Sequence, residues 1–340
     1  MGVRIVILRL YQRSEPDGDR GMIDRMRGLL RALGWGAVLA AVVGIAAHYS
    51  GLVSNTASRV AAFTPVLIGV GVLGLVLLLV ARAWISAVAA VLVVAVGVTA
   101  QAPLYWGVDE LVSDSDLTVM QANIFRGQAD PDEMVSRVRS SRVDVMTVVE
   151  LTPESVGALD RAGLRHALPF AFLRPREGGG GAGIYARSPL TDGQLLRGFE
   201  LSNLHARLTL PNRSPISVYA LHPLPPYPEP SWRWNAELRE LRSILSADTD
   251  PLIIGADANS TYDHRSFRQL LSGPPDSPQL TDAAEHLGSG VVATYPAGRP
   301  YPPLLALDRV LTRNGPTPTS FRRIDLPGSD HHGVLASIRL

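Results

Sequence analysis

Apolar and polar positions divide the chain into two textures. Residues 32–108 contain no Asp, Glu or Lys, and within them three apolar runs stand at about 33–49, 60–80 and 85–102. Each approaches or exceeds the ~20 residues a helix needs to cross ~30 Å of hydrocarbon, so the pattern predicts three transmembrane helices. A buried helical hairpin would not need three successive uncharged runs, and a cleaved signal peptide would account for only one. From residue 117 short β-rich runs alternate with helical stretches and Pro/Gly loops. Strands are expected at 117–123, 143–149, 182–186, 205–210, 216–222, 252–256, 306–312 and 333–338, and helices at 131–141 and 232–246. The second of these helices carries Leu238, Leu241 and Leu245 on one side. Many strand runs are apolar on both faces, which predicts two sheets packed together with helices outside them.

Charge orients these elements. Residues 1–31 carry seven Arg (Arg4, Arg9, Arg13, Arg20, Arg25, Arg27 and Arg31) against four acids, the loop between the second and third runs has Arg82, and that between the first and second has only Arg59. The tendency of positive loops to stay inside then gives a cytoplasmic Arg-rich N-terminus at 1–31, a three-helix anchor at 32–106 and an extracytoplasmic domain at 107–340. The overall charge of +1 conceals 23 Arg against 27 acids over residues 109–340, a net of −4, which argues against a nucleic-acid binder held by bulk charge. Zero Cys excludes disulfides, thiolate metal sites and a cysteine nucleophile. All 32 basic residues are Arg, which together with abundant Ala, Gly, Val and Pro reads as the codon bias of a GC-rich bacterial genome.

Polar residues recur at the C-terminal ends of the expected strands, where loops can present them to one pocket. Asn123, Glu150 and His222 each end such a run, and Asp257 and Asn259 follow another, with strand alternation pointing positions i and i+2 the same way. Asp308 lies in a later strand, and Ser329-Asp330-His331-His332 opens the last. Singly these have plain explanations: Asn123 as a turn cap, Asp257 as the start of an Asx turn, Asp308 as an ion-pair partner of Arg309. Together they form an ordered series: Gln121-Ala122-Asn123, Val149-Glu150, the run 183–189, His222-Pro223, Asp257-Ala258-Asn259, Leu307-Asp308 and Ser329-Asp330-His331. With this series the chain, over about residues 117–340, resembles the endonuclease/exonuclease/phosphatase superfamily. Two departures stand out. The usual Gly-Asp-Phe-Asn reads Ala256-Asp257-Ala258-Asn259, and the usual Ile-Asp-His reads Leu307-Asp308-Arg309; neither loses a reactive group.

The resemblance implies an α/β fold, a four-layer α/β/β/α sandwich of the deoxyribonuclease I-like type, here preceded by three transmembrane helices. It also implies roles. Glu150, with Asp330 as a second carboxylate and Asn123 nearby, would hold Mg²⁺ or Mn²⁺, hard cations that prefer oxygen ligands. Asp257 would orient or deprotonate the attacking water. Asn123 and Asn259 would hydrogen-bond the phosphate or a metal ligand, His222 would contact the phosphate or donate a proton, and His331, held in one tautomer by Asp308, would stabilise the phosphorane-like transition state. His332 should face the other way, since neighbouring strand residues alternate. His48, His166, His205, His264 and His286 are expected to be structural or exposed. Gly178–Gly181 reads as a flexible loop leading into a strand rather than a phosphate cradle, because no Lys-Ser/Thr and no helix follow. Trp232 and Trp234 are candidates for membrane contact or for anchoring the following helix to the core.

Three function classes follow. The first is a metal-dependent phosphohydrolase or phosphodiesterase at the outer face of the membrane, acting on a lipid-linked or cell-envelope phosphate. In layout it resembles the actinobacterial membrane proteins of the VanJ type linked to teicoplanin resistance. The second is a surface nuclease cleaving DNA or RNA, and the third a non-catalytic envelope binding protein. Both enzymatic classes require the Glu150 and Asp257 carboxylates to converge.

Overall fold

The computed structural model describes residues 17–340 except Asp276, with side chains from Gly21 onward; Arg4, Arg9 and Arg13, which entered the charge argument, lie outside the described residues. The described residues form two compact units, residues 17–43 with 65–98, and residues 44–64 with 99–340.

The first unit is helical. It contains most of α1 (Asp17–Ser50), whose last turns belong to the second unit together with α2 (Asn55–Ala62). It also contains α3 (Thr64–Val80) and α4 (Trp84–Gln101). Two helical stretches, Gly21–Ser50 (30 residues) and Trp84–Leu104 (21 residues), are long and apolar enough to cross a membrane. The second apolar run is not one helix, because it breaks at Phe63 and α2 and α3 meet at 63°, reaching spanning length only as a bent pair. Pro65 explains the break: it lacks the N–H that would bond the Ala61 carbonyl, and it is tolerated in the first turn of a new helix. α1 and α3 approach through small residues. A Cβ on Gly74 would sit 2.7 Å from the Gly34 carbonyl oxygen, and one on Gly71 2.5 Å from the Ala41 Cβ. Val72, Leu73, Val76, Val88 and Leu92 are exposed, so the outer surface of this unit is apolar.

The second unit is a two-sheet sandwich. One sheet holds β1 (Leu117–Asn123), β2 (Val145–Val149), β3 (Phe170–Arg174), β4 (Ala182–Ala186), β11 (Thr317–Ile324) and β12 (Gly333–Arg339), in the order β11-β12-β1-β2-β4-β3. The other holds β5 (Leu190–Leu195), β6 (Leu204–Leu208), β7 (Ile216–Leu221), β8 (Leu252–Asp257), β9 (Thr281–Asp282) and β10 (Asp308–Arg313), in the order β5-β6-β7-β8-β10-β9. Each sheet has one parallel pair at its centre, β1 with β2 and β7 with β8, flanked by antiparallel neighbours. Between the sheets pack Val119, Val145, Ile184, Val218, Ile253, Val310 and Val334. Met120, Met146 and Val148 turn outward onto α5 (Pro131–Ser140), α6 (Pro153–Arg161) and α7 (Leu164–Ala167). Tyr219 and Ile254 turn outward onto α8 (Ser231–Ala247) and α9 (Arg265–Ser272). A short α10 (Ala283–His286) follows β9. Each central strand is buried on both faces, hence the continuous apolar runs. Gly255 marks a close approach of the sheets, since a Cβ there would collide with Thr147 Oγ1.

The segment 44–64 is bonded into this unit. His48 Nδ1 lies 2.7 Å from Asp263 Oδ1, which also accepts from Gln101 Nε2 at 2.7 Å. Asn55 Oδ1 accepts from the backbone N–H (3.0 Å) and hydroxyl (2.8 Å) of Ser231. All eight expected strands and both expected helices of the sandwich are present, with ends shifted by one or two residues. Trp234 is buried and donates to Ser260 Oγ at 3.1 Å, while Trp232 is exposed.

Candidate active site

Two parallel pairs deliver their C-terminal ends to one edge of the sandwich. Asn123 ends β1, Glu150 follows β2, His222 follows β7 and Asp257 ends β8. The antiparallel neighbours begin at that edge, so β10 opens with Asp308 opposite Asp257, and His331 stands two residues before β12. Glu150, His222, Asp257, Asn259, Asp330 and His331 line one cleft of about 590 Å³, with Asn123 and Asp308 bonded to them from behind.

Asn123 joins the two sheets. Its buried amide donates to Glu150 Oε1 (3.1 Å) and to Asp257 Oδ2 (2.9 Å), while its Oδ1 accepts from the Phe125 N–H (2.9 Å). The expected convergence of Glu150 and Asp257 is therefore made through a single side chain. Both amide hydrogens are taken by these bonds, so Asn123 bridges the two carboxylates.

Three cleft residues, Arg126, Glu150 and Asn259, hold positive φ (+53°, +60° and +46°), a conformation costing roughly 1–2 kcal/mol in residues with a side chain. At Glu150 the turn aims the carboxylate so that Oε2 accepts from the Arg126 N–H at 2.9 Å. Gly179, itself at φ +89°, passes so near that a Cβ would lie 3.1 Å from that oxygen. The Gly178–Gly181 run thus allows close approach to Glu150, a use that composition alone did not reveal. Asn259 departs from its expected geometry: β8 stops at Asp257, so strand alternation does not apply, and its N–H donates to Asp257 Oδ1 (3.0 Å) in an Asx turn. Its Nδ2 donates to the Pro223 carbonyl (2.9 Å).

Asp257 is buried between two imidazoles, 3.6 Å from His222 Nε2 and 3.8 Å from His331 Nε2. Burial alone would push its carboxyl up; the His331 and His222 rings and the bonds from Asn123 and Asn259 outweigh it and hold the group below the usual carboxylate range. His331 Nδ1 bonds Asp308 Oδ2 at 2.8 Å. Burial works against a charged ring there, but Asp308 and Asp257 overcome it and raise His331 to about 10, so the imidazolium persists at neutral pH. His332 turns away, 2.9 Å from Asp325. Sequence reasoning did not single out the residues that steady this array. Asn203 clamps the backbone of His222 with its Oδ1 and Nδ2 (2.7 and 3.3 Å), and Thr294 accepts from the N–H of Asp308 (3.2 Å). Ser329 donates to the Asn123 carbonyl (2.8 Å) and accepts from the His331 N–H (3.1 Å).

Two donor sets bear on a metal. Asp257, Asp308 and His331 each present a ligand atom within 4.8 Å of the others, a spacing able to hold an ion. The 2.8 Å bond between His331 and Asp308 already uses that geometry. Glu150 and Asp330 offer oxygens only: Asp330 Oδ1 is buried without a partner, and burial followed by the nearby Glu150 charge raises its carboxyl, with His331 opposing. An orphaned carboxylate oxygen beside a second carboxylate suits a hard divalent cation.

Residues 120–331 match the model of the Endonuclease/Exonuclease/phosphatase family. The chain belongs to this family. Its three namesake activities all hydrolyse phosphoester bonds, so the chain is a hydrolase acting on such bonds, and the buried Asp-Asp-His group agrees with the family's use of divalent metals. Among solved structures it is similar to TDP2 from D. rerio complexed with single-strand DNA product (20% identity, TM-score 0.53, covering 67% of this chain and 100% of that one). A humanized D. rerio TDP2 with 14 mutations gives 19% identity and TM-score 0.54 over the same shares. The 3′ phosphatase NExo from Neisseria, bound to a product DNA hairpin, gives 14% identity and TM-score 0.51, covering 66% of this chain and 100% of that one. At these identities the likeness carries the fold, and it agrees with the expected mixed α/β sandwich of two sheets. No curated protein matches the chain.

Proposed function

We propose that the chain is a divalent-metal-dependent phosphohydrolase working at the outer face of a membrane on a lipid-linked or cell-envelope phosphoester. The observation that carries the chemistry is the Asn123 amide linking the Glu150 and Asp257 carboxylates. Glu150 and Asp330 would hold Mg²⁺ or Mn²⁺, which when bound would neutralise phosphate charge and steady the leaving oxygen. Asp257, kept anionic, orients and deprotonates the attacking water. His331, kept cationic by Asp308, faces the negative charge that builds on the phosphorane, and His222 and Asn259 contact its oxygens.

The membrane setting is supported by two helical stretches of spanning length and by an apolar outer surface on the first unit. The Arg-rich N-terminus, with only Arg59 between the first two apolar runs, supports a hydrolase opposite the cytoplasm. A tethered site meets membrane substrates at raised local concentration. The VanJ-type layout adds glycopeptide resistance as a cellular setting, to be read from teicoplanin susceptibility after gene deletion. A nucleic-acid substrate is the second reading, because TDP2 and NExo were solved with DNA products.

The test is full-length protein with Mn²⁺ assayed side by side on a long-chain alkyl phosphate and on plasmid DNA, with Glu150→Gln and His331→Ala as controls. Faster turnover of the alkyl phosphate supports the proposal, and preference for DNA moves the assignment to a surface nuclease. Absence of both activities in the wild type, or a cellular phenotype left untouched by the two variants, would leave only the binding protein. A reporter fused to the C-terminus settles the side of the membrane.

A further inference from the structure

The cleft has a wall that the family-matched residues do not contain. Ser58, Arg59, Ala62 and Phe63, all from the segment joining α1 to α3, line it together with Glu150, Asp257 and His331. This wall is bonded in place. Besides its bonds from Ser231, Asn55 donates through Nδ2 to the Glu229 carbonyl (3.1 Å), and the Ser58 carbonyl accepts from buried His264 (3.0 Å). Arg268 donates to the carbonyl of His48 at 2.6 Å, fixing the end of α1.

Arg59 is exposed, and its guanidinium lies 4.5 Å from the centre of the Tyr227 ring, which is itself part of the cleft wall. Among the described residues no carboxylate pairs with it; its Nε reaches only the Asn55 carbonyl, at 3.4 Å. A cation in the last turn of α2 favours the helix C-terminus, but that effect needs no particular direction of the side chain. Stacking on Tyr227 gives it one, over a cleft whose neighbouring surface is apolar: Ala62, Phe63, Leu224, Pro226 and Leu305. The cleft's volume of about 590 Å³ falls in the range of sites for sizeable organic ligands rather than a bare phosphate.

Resting on the hydrolase reading above, we infer that α2 is the specificity wall of the active site. Arg59 binds an anionic group of the substrate beyond the scissile phosphate, and Phe63 with Leu224 and Pro226 takes an apolar chain. The substrate class is an amphiphile with two anionic groups, as in a lipid-linked diphosphate.

The experiment uses the full chain in detergent with Mn²⁺ and compares dodecyl diphosphate, dodecyl phosphate and p-nitrophenyl phosphate. Arg59→Gln raises KM for the diphosphate roughly ten- to a hundredfold, the worth of one charge-assisted bond, and that for the monophosphates far less. Arg59→Lys recovers most of the loss, and Phe63→Ala erases the preference for dodecyl over p-nitrophenyl esters. An Arg59→Gln effect equal on all three substrates, or absent, overturns the inference. Should wild-type protein hydrolyse none of them, the hydrolase reading fails by itself. Calorimetric affinity for dodecyl diphosphate then still decides the inference, which stands if Arg59→Gln weakens binding at least tenfold and falls if it does not.

Discussion

Lowering the pH from neutral tests how α2 is held. His264 is fully buried, and burial brings its imidazole down from 6.5 to about 4 against the smaller pull of the Ser58 carbonyl and Asp263. Its Nδ1 accepts the Thr261 N–H at 3.0 Å, which leaves the ring proton on Nε2 for the Ser58 carbonyl. A second proton would have to displace the Thr261 bond. Above pH 6.5 the ring is neutral whether the segment is docked or detached, and the stabilisation is complete. Between 6.5 and about 4 only the detached form takes a proton, so stability is lost as pH falls, and below about 4 this group adds no further loss. The displacement amounts to roughly 3 kcal/mol at ~1.4 kcal/mol per pH unit. Hydrogen exchange of peptides covering 53–64 and 259–268, corrected for the intrinsic pH dependence, should show this loss in the wild type and a flattened profile in His264→Gln. Equal slopes in both proteins, or an NMR titration of His264 near 6.5, would refute the reasoning.

Four other outcomes are expected. Asp308→Asn removes the carboxylate facing His331 Nδ1 and should lower kcat by roughly 10²–10⁴ with little change in KM; a loss under tenfold in steady-state assays would take Asp308 out of the mechanism. Gly255→Ala forces a methyl against Thr147 Oγ1 and should destabilise the sandwich by roughly 3 kcal/mol, partly relieved by Thr147→Ala, as read by thermal unfolding. Chelation should abolish hydrolysis and Mn²⁺ restore it. Gly179→Ala, strained at φ +89° and crowding Glu150 Oε2, should raise the Mn²⁺ concentration for half-maximal rate several-fold, and an unchanged metal dependence would count against Glu150 as a ligand.

The parts of this molecule legible in the sequence were those whose chemistry is local. β1, β2, β7 and β8 are buried on both faces, so they read as continuous apolar runs, and the residues that end them are the ones that meet at the candidate site. β3 and β5 are sheet edges, half-buried and exposed respectively, and left no alternation to find. β11 is exposed at Arg322 and Arg323 and carries Pro318, which hides a strand from any hydrophobic pattern. The break at Phe63 was signalled by Pro65 but masked by the apolar run on either side. Asn259 reaches the site through a left-handed turn, a conformation that strand periodicity cannot express. The α2 wall was illegible for another reason: Asn55 and Ser231 are 176 positions apart, and no motif links them.

Six candidate site residues come from the rims of two separate sheets: Asn123, Glu150 and His331 from one, His222, Asp257 and Asp308 from the other. Neither sheet carries a working half of the centre, and the Asn123 amide meets both carboxylates only when the sheets have docked. On the function proposed above, a nascent chain has no cleavage activity to release while its hydrophobic faces are still apart. Turnover in this enzyme is a certificate of finished assembly, issued at the seam.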